Sequence, residues 1–119
     1  MKSKIVALSK NEEFKNLLKQ KKISNKYITL FFGVLKNKNN KKLNISFVAK
    51  KKQIKSAVKR NKVKRRLRNI MNDLVKKISI NFNLSYLVMA KTTMLNNDYQ
   101  VIKETLFQDF KKIKKLKIF

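Results

Sequence analysis

The chain has 119 residues and sets 32 lysines and arginines against 6 aspartates and glutamates, a formal charge of +26. It contains no cysteine and no histidine, which excludes thiolate and imidazole metal sites and the Cys-His and Ser-His nucleophilic devices. Apolar residues make up 43 %, enough for one core, so the uncompensated charge points to a folded domain with a polyanionic partner: nucleic acid first, an anionic membrane surface second.

Residues 1–10 are basic but lack the apolar stretch of a signal peptide. Ser9 and Glu12 then form a capping-box pattern, and Phe14, Leu17 and Leu18 follow at helical spacing. A first helix over about residues 10–20 is expected. Glu12 and Glu13 sit in its first turn, where negative charge favours the dipole. Residues 27–35 (YITLFFGVL) are rich in β-branched and aromatic side chains and read as a strand. Residues 36–42 (KNKNNKK) read as a polar turn. Residues 43–49 alternate, with Leu43, Ile45 and Phe47 on one side and Asn44 and Ser46 on the other. The two strands read as an antiparallel hairpin with a long loop.

Residues 50–77 read as one long helix. Val63, Leu67, Ile70, Leu74 and Ile78 trace its buried face. Asn61, Lys64, Arg65, Arg68 and Asn72 form a stripe roughly opposite, continued by Ala57, while Lys59 and Arg60 flank the apolar line. Residues 84–90 (LSYLVMA) are nearly all apolar, as an internal strand would be. Asn96, Asn97 and Asp98 offer an N-cap cluster for a last helix, whose apolar face is Tyr99, Ile102, Leu106, Phe110 and Ile113 and whose other face carries Lys103, Lys111, Lys112 and Lys115. The order α-β-β-α-β-α predicts a single α/β (α+β) domain over residues 1–119, a two-layer sandwich. The longest near-apolar run, residues 28–35, is too short to span a membrane, so the chain is expected to be soluble and cytoplasmic.

Little in this inventory does chemistry. The carboxylates Glu12, Glu13, Asp73, Asp98, Glu104 and Asp109 fall on helix ends or solvent faces and form no acid–base pair. One glycine, Gly33, cannot build a phosphate-cradling loop. Neither a catalytic site nor a metal site is expected in the chain. Binding remains. All four arginines, Arg60, Arg65, Arg66 and Arg68, lie within residues 60–68; elsewhere the positive charge is lysine. Arginine's planar fork suits paired phosphate oxygens and stacking on bases, which marks this segment, with Lys59, Asn61, Lys62 and Lys64, as a recognition surface for an RNA or DNA backbone. Phe14, Tyr27, Phe31, Phe32, Phe47, Tyr86 and Phe110 are mostly core by pattern. Phe14 and Tyr27, at element starts among lysines, are the candidates for base stacking.

Ala57, Arg60, Asn61, Lys64, Arg65 and Arg68 resemble the arginine- and asparagine-rich signature of the bacterial ribonuclease P protein subunit. The opening LSKNEEF, the segment ISFVAKKK and the strand YLVMAK are similar to the corresponding parts of that family. The chain departs from it where Ile54 or Lys55 stands for a glycine, Asn69 for a glutamate, and Leu18 for a second phenylalanine. The resemblance implies an α/β sandwich with a left-handed βαβ crossover. It implies a subunit of an endoribonuclease that removes the 5′ leader of precursor tRNA, with the catalytic groups in the partner RNA and Mg²⁺ bound mainly by that RNA. On this basis Arg60, Asn61, Lys64, Arg65 and Arg68, with Lys59, Lys62 and Arg66, are assigned to the ribonuclease P RNA. Phe14, Leu18 and Tyr27 are assigned to a cleft for the single-stranded leader. The implied partners are the ribonuclease P RNA and precursor tRNA, with no membrane and no small-molecule substrate. The alternative is a ribosomal or nucleoid-type basic protein with no part in tRNA processing.

Overall fold

The apolar patterns of the strands and helices resolve into a five-stranded sheet with helices against it. The computed structural model describes residues 5–6, 11–34, 43–77 and 84–115, with side chains over 15–34, 43–77 and 84–113. The elements are β1 (Ile5–Val6), α1 (Asn11–Leu18), β2 (Lys21–Ser24), β3 (Ile28–Gly33), β4 (Leu43–Val48), α2 (Ala57–Lys77), β5 (Ser85–Ala90), a 3₁₀ turn (Thr92–Leu95) and α3 (Tyr99–Lys115). The fold is mixed α+β, as expected. The sequence reading missed the short strands β1 and β2 and the 3₁₀ turn. Ser9, the polar turn 36–42 and Ile78 lie outside the described residues.

The strand order is β1-β4-β5-β3-β2. This corrects the expected hairpin. β3 and β4 do run in opposite directions, but neither pairs with the other, because β5 lies between them. β3 pairs antiparallel with β5 and β4 pairs parallel with it. β5 is buried nearly throughout, and an apolar strand gains most from the middle of a sheet. The parallel β4–β5 pair requires a long crossover, which α2 supplies. This is the βαβ unit to which the resemblance assigns a left hand.

Alternate side chains divide the sheet into two faces. Ile28, Leu30, Phe32, Leu43, Ile45, Tyr86 and Val88 join Val63, Leu67, Ile70, Met71 and Leu74 of α2 and Ile102, Leu106, Phe110 and Ile113 of α3 in the main core. The Tyr86 and Phe110 rings tilt against each other with centroids 5.2 Å apart. Sheet, α2 and α3 thus make the two-layer sandwich. On the opposite face Leu17 of α1 seals a smaller cluster with Phe31 and Leu87, flanked by Val48 and Met89. Gly33 lies on this side. The Gln20 carboxamide crosses it, accepting from Val34 N at 3.2 Å and donating to Val34 O at 3.4 Å. A Cβ at Gly33 would collide with that carboxamide.

α2 begins at Ala57, seven residues later than expected. Residues 50–56 form a turn instead, in which Gln53 N and Ile54 N donate to Lys50 O and Ile54 is buried. Ser56 is the cap: its Oγ accepts from Lys59 N at 3.3 Å and its carbonyl accepts from Arg60 N at 3.0 Å. Ser56→Ala is expected to cost about 0.5–2 kcal/mol in urea unfolding. A loss below that range would show that water replaces the hydroxyl. Asp98 caps α3, accepting from Gln100 N at its side chain and Ile102 N at its carbonyl.

Candidate nucleic-acid interface

Successive residues of α2 turn by about 100°, so its buried residues fix the direction of all the others. Val63, Leu67, Ile70, Met71 and Leu74 face the sheet. Opposite them Val58, Asn61, Lys62, Arg65, Arg68 and Asn69 are exposed, and Lys64 and Asn72 are half-buried at the margin. The stripe read from the sequence is therefore one continuous surface. Arg65, Arg68, Lys62 and Lys64 make no hydrogen bond or ion pair among the described residues. An arginine in that state keeps every guanidinium N–H for an incoming anion. Val58, 78 % exposed, is an apolar spot at the start of this face that sequence reasoning did not single out.

The structure separates the four arginines into pairs. Arg60 is half-buried, and its Nη1 donates to Ile54 O and Lys55 O, both at 2.8 Å. Arg66 is also half-buried and donates from Nη1 to Met94 O at 3.3 Å, tying α2 to the 3₁₀ turn. Lys59 is exposed beside Ser56. The loop before α2 adds the exposed Lys50, Lys51, Lys52 and Lys55, which widen the basic surface at its N-terminus.

Leu18 and Tyr27 of the expected leader cleft lie at opposite ends of β3. Leu18, 45 % exposed, ends α1 close to Gln20 and thus near Val34. Tyr27 precedes the other end of β3, is 5 % exposed, and belongs to the main core on the far face of the sheet. Phe14 lies on α1, with its side chain outside the described residues. Toward the Tyr27 end of β3 the α1 side of the sheet is floored by residues the sequence reading did not nominate. Thr29, Val48 and Met89 are half-buried on the α1 side of the sheet, next to the Leu17–Phe31–Leu87 cluster. Register gives this surface a polar rim, since Lys22 and Ser24 of β2 pair with Phe31 and Thr29. Ser24 Oγ and Asn25 O accept from Lys91 Nζ at 2.8 and 2.5 Å. The signal was present in the sequence: β3 and β5 are apolar at both odd and even positions, which marks a sheet with two apolar faces.

The carboxylates are scattered. Asp73 of α2 pairs with Lys103 of α3 at 2.8 Å. Asp109 is not on a solvent face as expected: it is 4 % exposed and accepts a short hydrogen bond from Asn25 Nδ2. Among the described residues no three acidic, histidine or cysteine side chains gather as a metal site. The hydrogen bond from Lys103, followed by the attraction of Lys103, Lys77 and Lys76, holds the Asp73 carboxyl below its ordinary 3.8 despite some desolvation. The same hydrogen bond raises Lys103 above 10.5. A depressed carboxyl stabilises the fold above its unfolded value and loses that effect as pH falls through the folded value; a raised amine does so below its unfolded value and loses it as pH rises. The Tm difference between wild type and Asp73→Asn is thus expected to hold steady around neutral pH and to shrink as acid takes the pH below the ordinary 3.8 and through the lowered folded value. A difference that persists in acid would assign Asp73 a packing role.

These features define a class: a small α+β domain presenting one helix face of arginine, lysine and asparagine, on which Arg65 and Arg68 bond to no other described residue, with no catalytic cluster among its described residues. The ribonuclease P family model matches residues 3–114. The chain is 31 % identical over 111 residues to the ribonuclease P protein component of Carboxydothermus hydrogenoformans, covering 91 % of this chain and 90 % of that one. Its fold is similar to that of the Staphylococcus aureus RNase P protein, with a TM-score of 0.72, 24 % identity, and coverage of 92 % and 94 % of the two chains. The Thermotoga maritima RNase P protein gives a TM-score of 0.73 at 20 % identity, with 90 % and 96 % covered. The chain belongs to the ribonuclease P protein family, whose members are protein components of a tRNA-processing ribonuclease. The ribosomal or nucleoid alternative gains no support. Among the described residues no helix is long and apolar enough to cross a membrane.

Proposed function

We propose that this chain binds the ribonuclease P RNA through the exposed face of α2 and holds the 5′ leader of precursor tRNA on the α1 side of the sheet. Asn61, Lys62, Lys64, Arg65 and Arg68, with Lys59, form the RNA contact. The arginine forks meet phosphate or base edges, and the lysines supply point charge. Leu18, with Phe14, borders the leader surface, and Thr29, Val48 and Met89 give it a partly apolar floor. The observation that carries this reading is that Arg65 and Arg68 are exposed and bond to no other described residue, on a helix whose other face is locked in the core.

In this reading the RNA carries out the hydrolysis and binds most of the Mg²⁺ through its phosphates, as a hard cation prefers. The protein contributes cationic charge. Placed between catalytic RNA and substrate, a net charge of +26 offsets the repulsion of two polyanions and tightens both substrate and metal binding. The test is reconstitution with a bacterial ribonuclease P RNA transcript and assay of 5′ cleavage at low Mg²⁺. The protein is expected to lower the Mg²⁺ needed and to be inert alone. Cleavage by the protein without RNA, or no effect on the RNA reaction, rejects the proposal.

A further inference from the structure

We infer that Arg60 is a positioning residue, not a phosphate ligand: it clamps residues 50–55 against the start of α2 as a rigid second phosphate-binding edge. This rests on the RNA-binding role proposed above and divides the arginine segment by task. The clamp is specific. One guanidinium nitrogen bridges two consecutive carbonyls, Ile54 O and Lys55 O. Both groups precede the helix, where no intrahelical N–H reaches them. The turn is pinned at two more points, by the buried Ile54 side chain and by Ser56 at the cap. Four exposed lysines, Lys50, Lys51, Lys52 and Lys55, therefore ride on a connection with little freedom. They make no hydrogen bond or ion pair through their side chains among the described residues. They also stand at the positive end of a 21-residue helix, where anions are favoured. Lysines fixed in this way lose less entropy on meeting a phosphate than lysines on a loose loop.

The test uses the full chain, first free and then titrated with a ribonuclease P RNA transcript over a range of salt. Arg60→Lys keeps the charge but replaces the fork by a point donor. Amide hydrogen exchange at Gln53 and Ile54 is expected to accelerate at least about tenfold in the free protein. RNA affinity should fall several-fold, with the slope of log K against log salt kept within about 0.3 of wild type. Arg60→Gln should leave the slope equally unchanged, whereas Lys51→Gln with Lys52→Gln should reduce it by about 1.4–1.8. Unchanged exchange at Gln53 and Ile54 overturns the clamp, and so does a slope that drops by about 0.7–0.9 in Arg60→Gln, the mark of a lost phosphate contact. An unaltered slope in the double lysine variant overturns the second edge. Should Arg60→Gln fail to fold, the exchange measurement on Arg60→Lys still judges the clamp. If wild type shows no salt-dependent RNA binding, the RNA reading fails and the second edge with it, while the exchange experiment still judges the clamp.

Discussion

Replacing Arg65 and Arg68 together with glutamine is expected to weaken binding to the ribonuclease P RNA by about 10- to 100-fold and to reduce the salt slope by about 1.4–1.8. Tm is expected to stay within about 2 °C of wild type, because surface substitutions away from caps and networks change stability little. The contrast follows from where the two side chains sit. Both are exposed, opposite Val63, Leu67 and Ile70, and neither bonds to another described residue. Folding is nearly indifferent to them, whereas a polyanion loses two guanidinium forks. Binding isotherms at several salt concentrations and a thermal melt are sufficient. If the double variant unfolds, or binds RNA with an unchanged slope, the outer face of α2 is not the RNA contact.

The largest loss of stability is expected from Asn25→Ala. Asn25 connects three parts of the fold. Its Nδ2 donates to the buried Asp109 carboxylate of α3. Its Oδ1 accepts from Tyr27 N at 2.7 Å and Ile28 N at 2.9 Å, closing the turn between β2 and β3. Its carbonyl accepts from Lys91 Nζ at the end of β5. Truncation leaves a buried carboxyl without this donor and two backbone N–H groups without this acceptor, at a cost of about 3–5 kcal/mol. For a domain of this size that is a fall in Tm of roughly 10–20 °C. Because much of the loss comes from the stranded Asp109, adding Asp109→Leu should restore part of it, which a double-mutant cycle measures. A single variant that loses less than about 1 kcal/mol would show that water takes over these bonds.

Periodicity announced the main elements because it is local. The repeat from Val63 to Leu74 places α2 and its buried face, Asp98 marks the start of α3, and the unbroken apolar run of residues 86–90 marks the central strand. Boundaries set by single hydrogen bonds were harder to see. Residues 50–56 have the lysine-rich composition of the helix that follows, so nothing in their pattern shows that Ser56, and not Lys50, opens it. Strands as short as Ile5–Val6 and Lys21–Ser24 carry too few residues for alternation to emerge. For the candidate interface the residue types were legible and their tasks were not. Four arginines in one segment look alike until Arg60 is seen on Ile54 O and Lys55 O and Arg66 on Met94 O.

The amino-acid order alone settled the charge, the absence of thiol and imidazole chemistry, and the helix that gathers the arginines. Each of these depends on residue identity and on neighbours within a few positions. Which strands pair, which arginines bond within the fold, where Tyr27 faces and what floors the α1 side of the sheet depend on residues far apart in the chain. β5 parts β3 from β4 because the most apolar strand is best buried in the middle of the sheet. Asp109 is buried because Asn25, distant in sequence, meets it in space. Such pairings are chosen by the packing of the whole core.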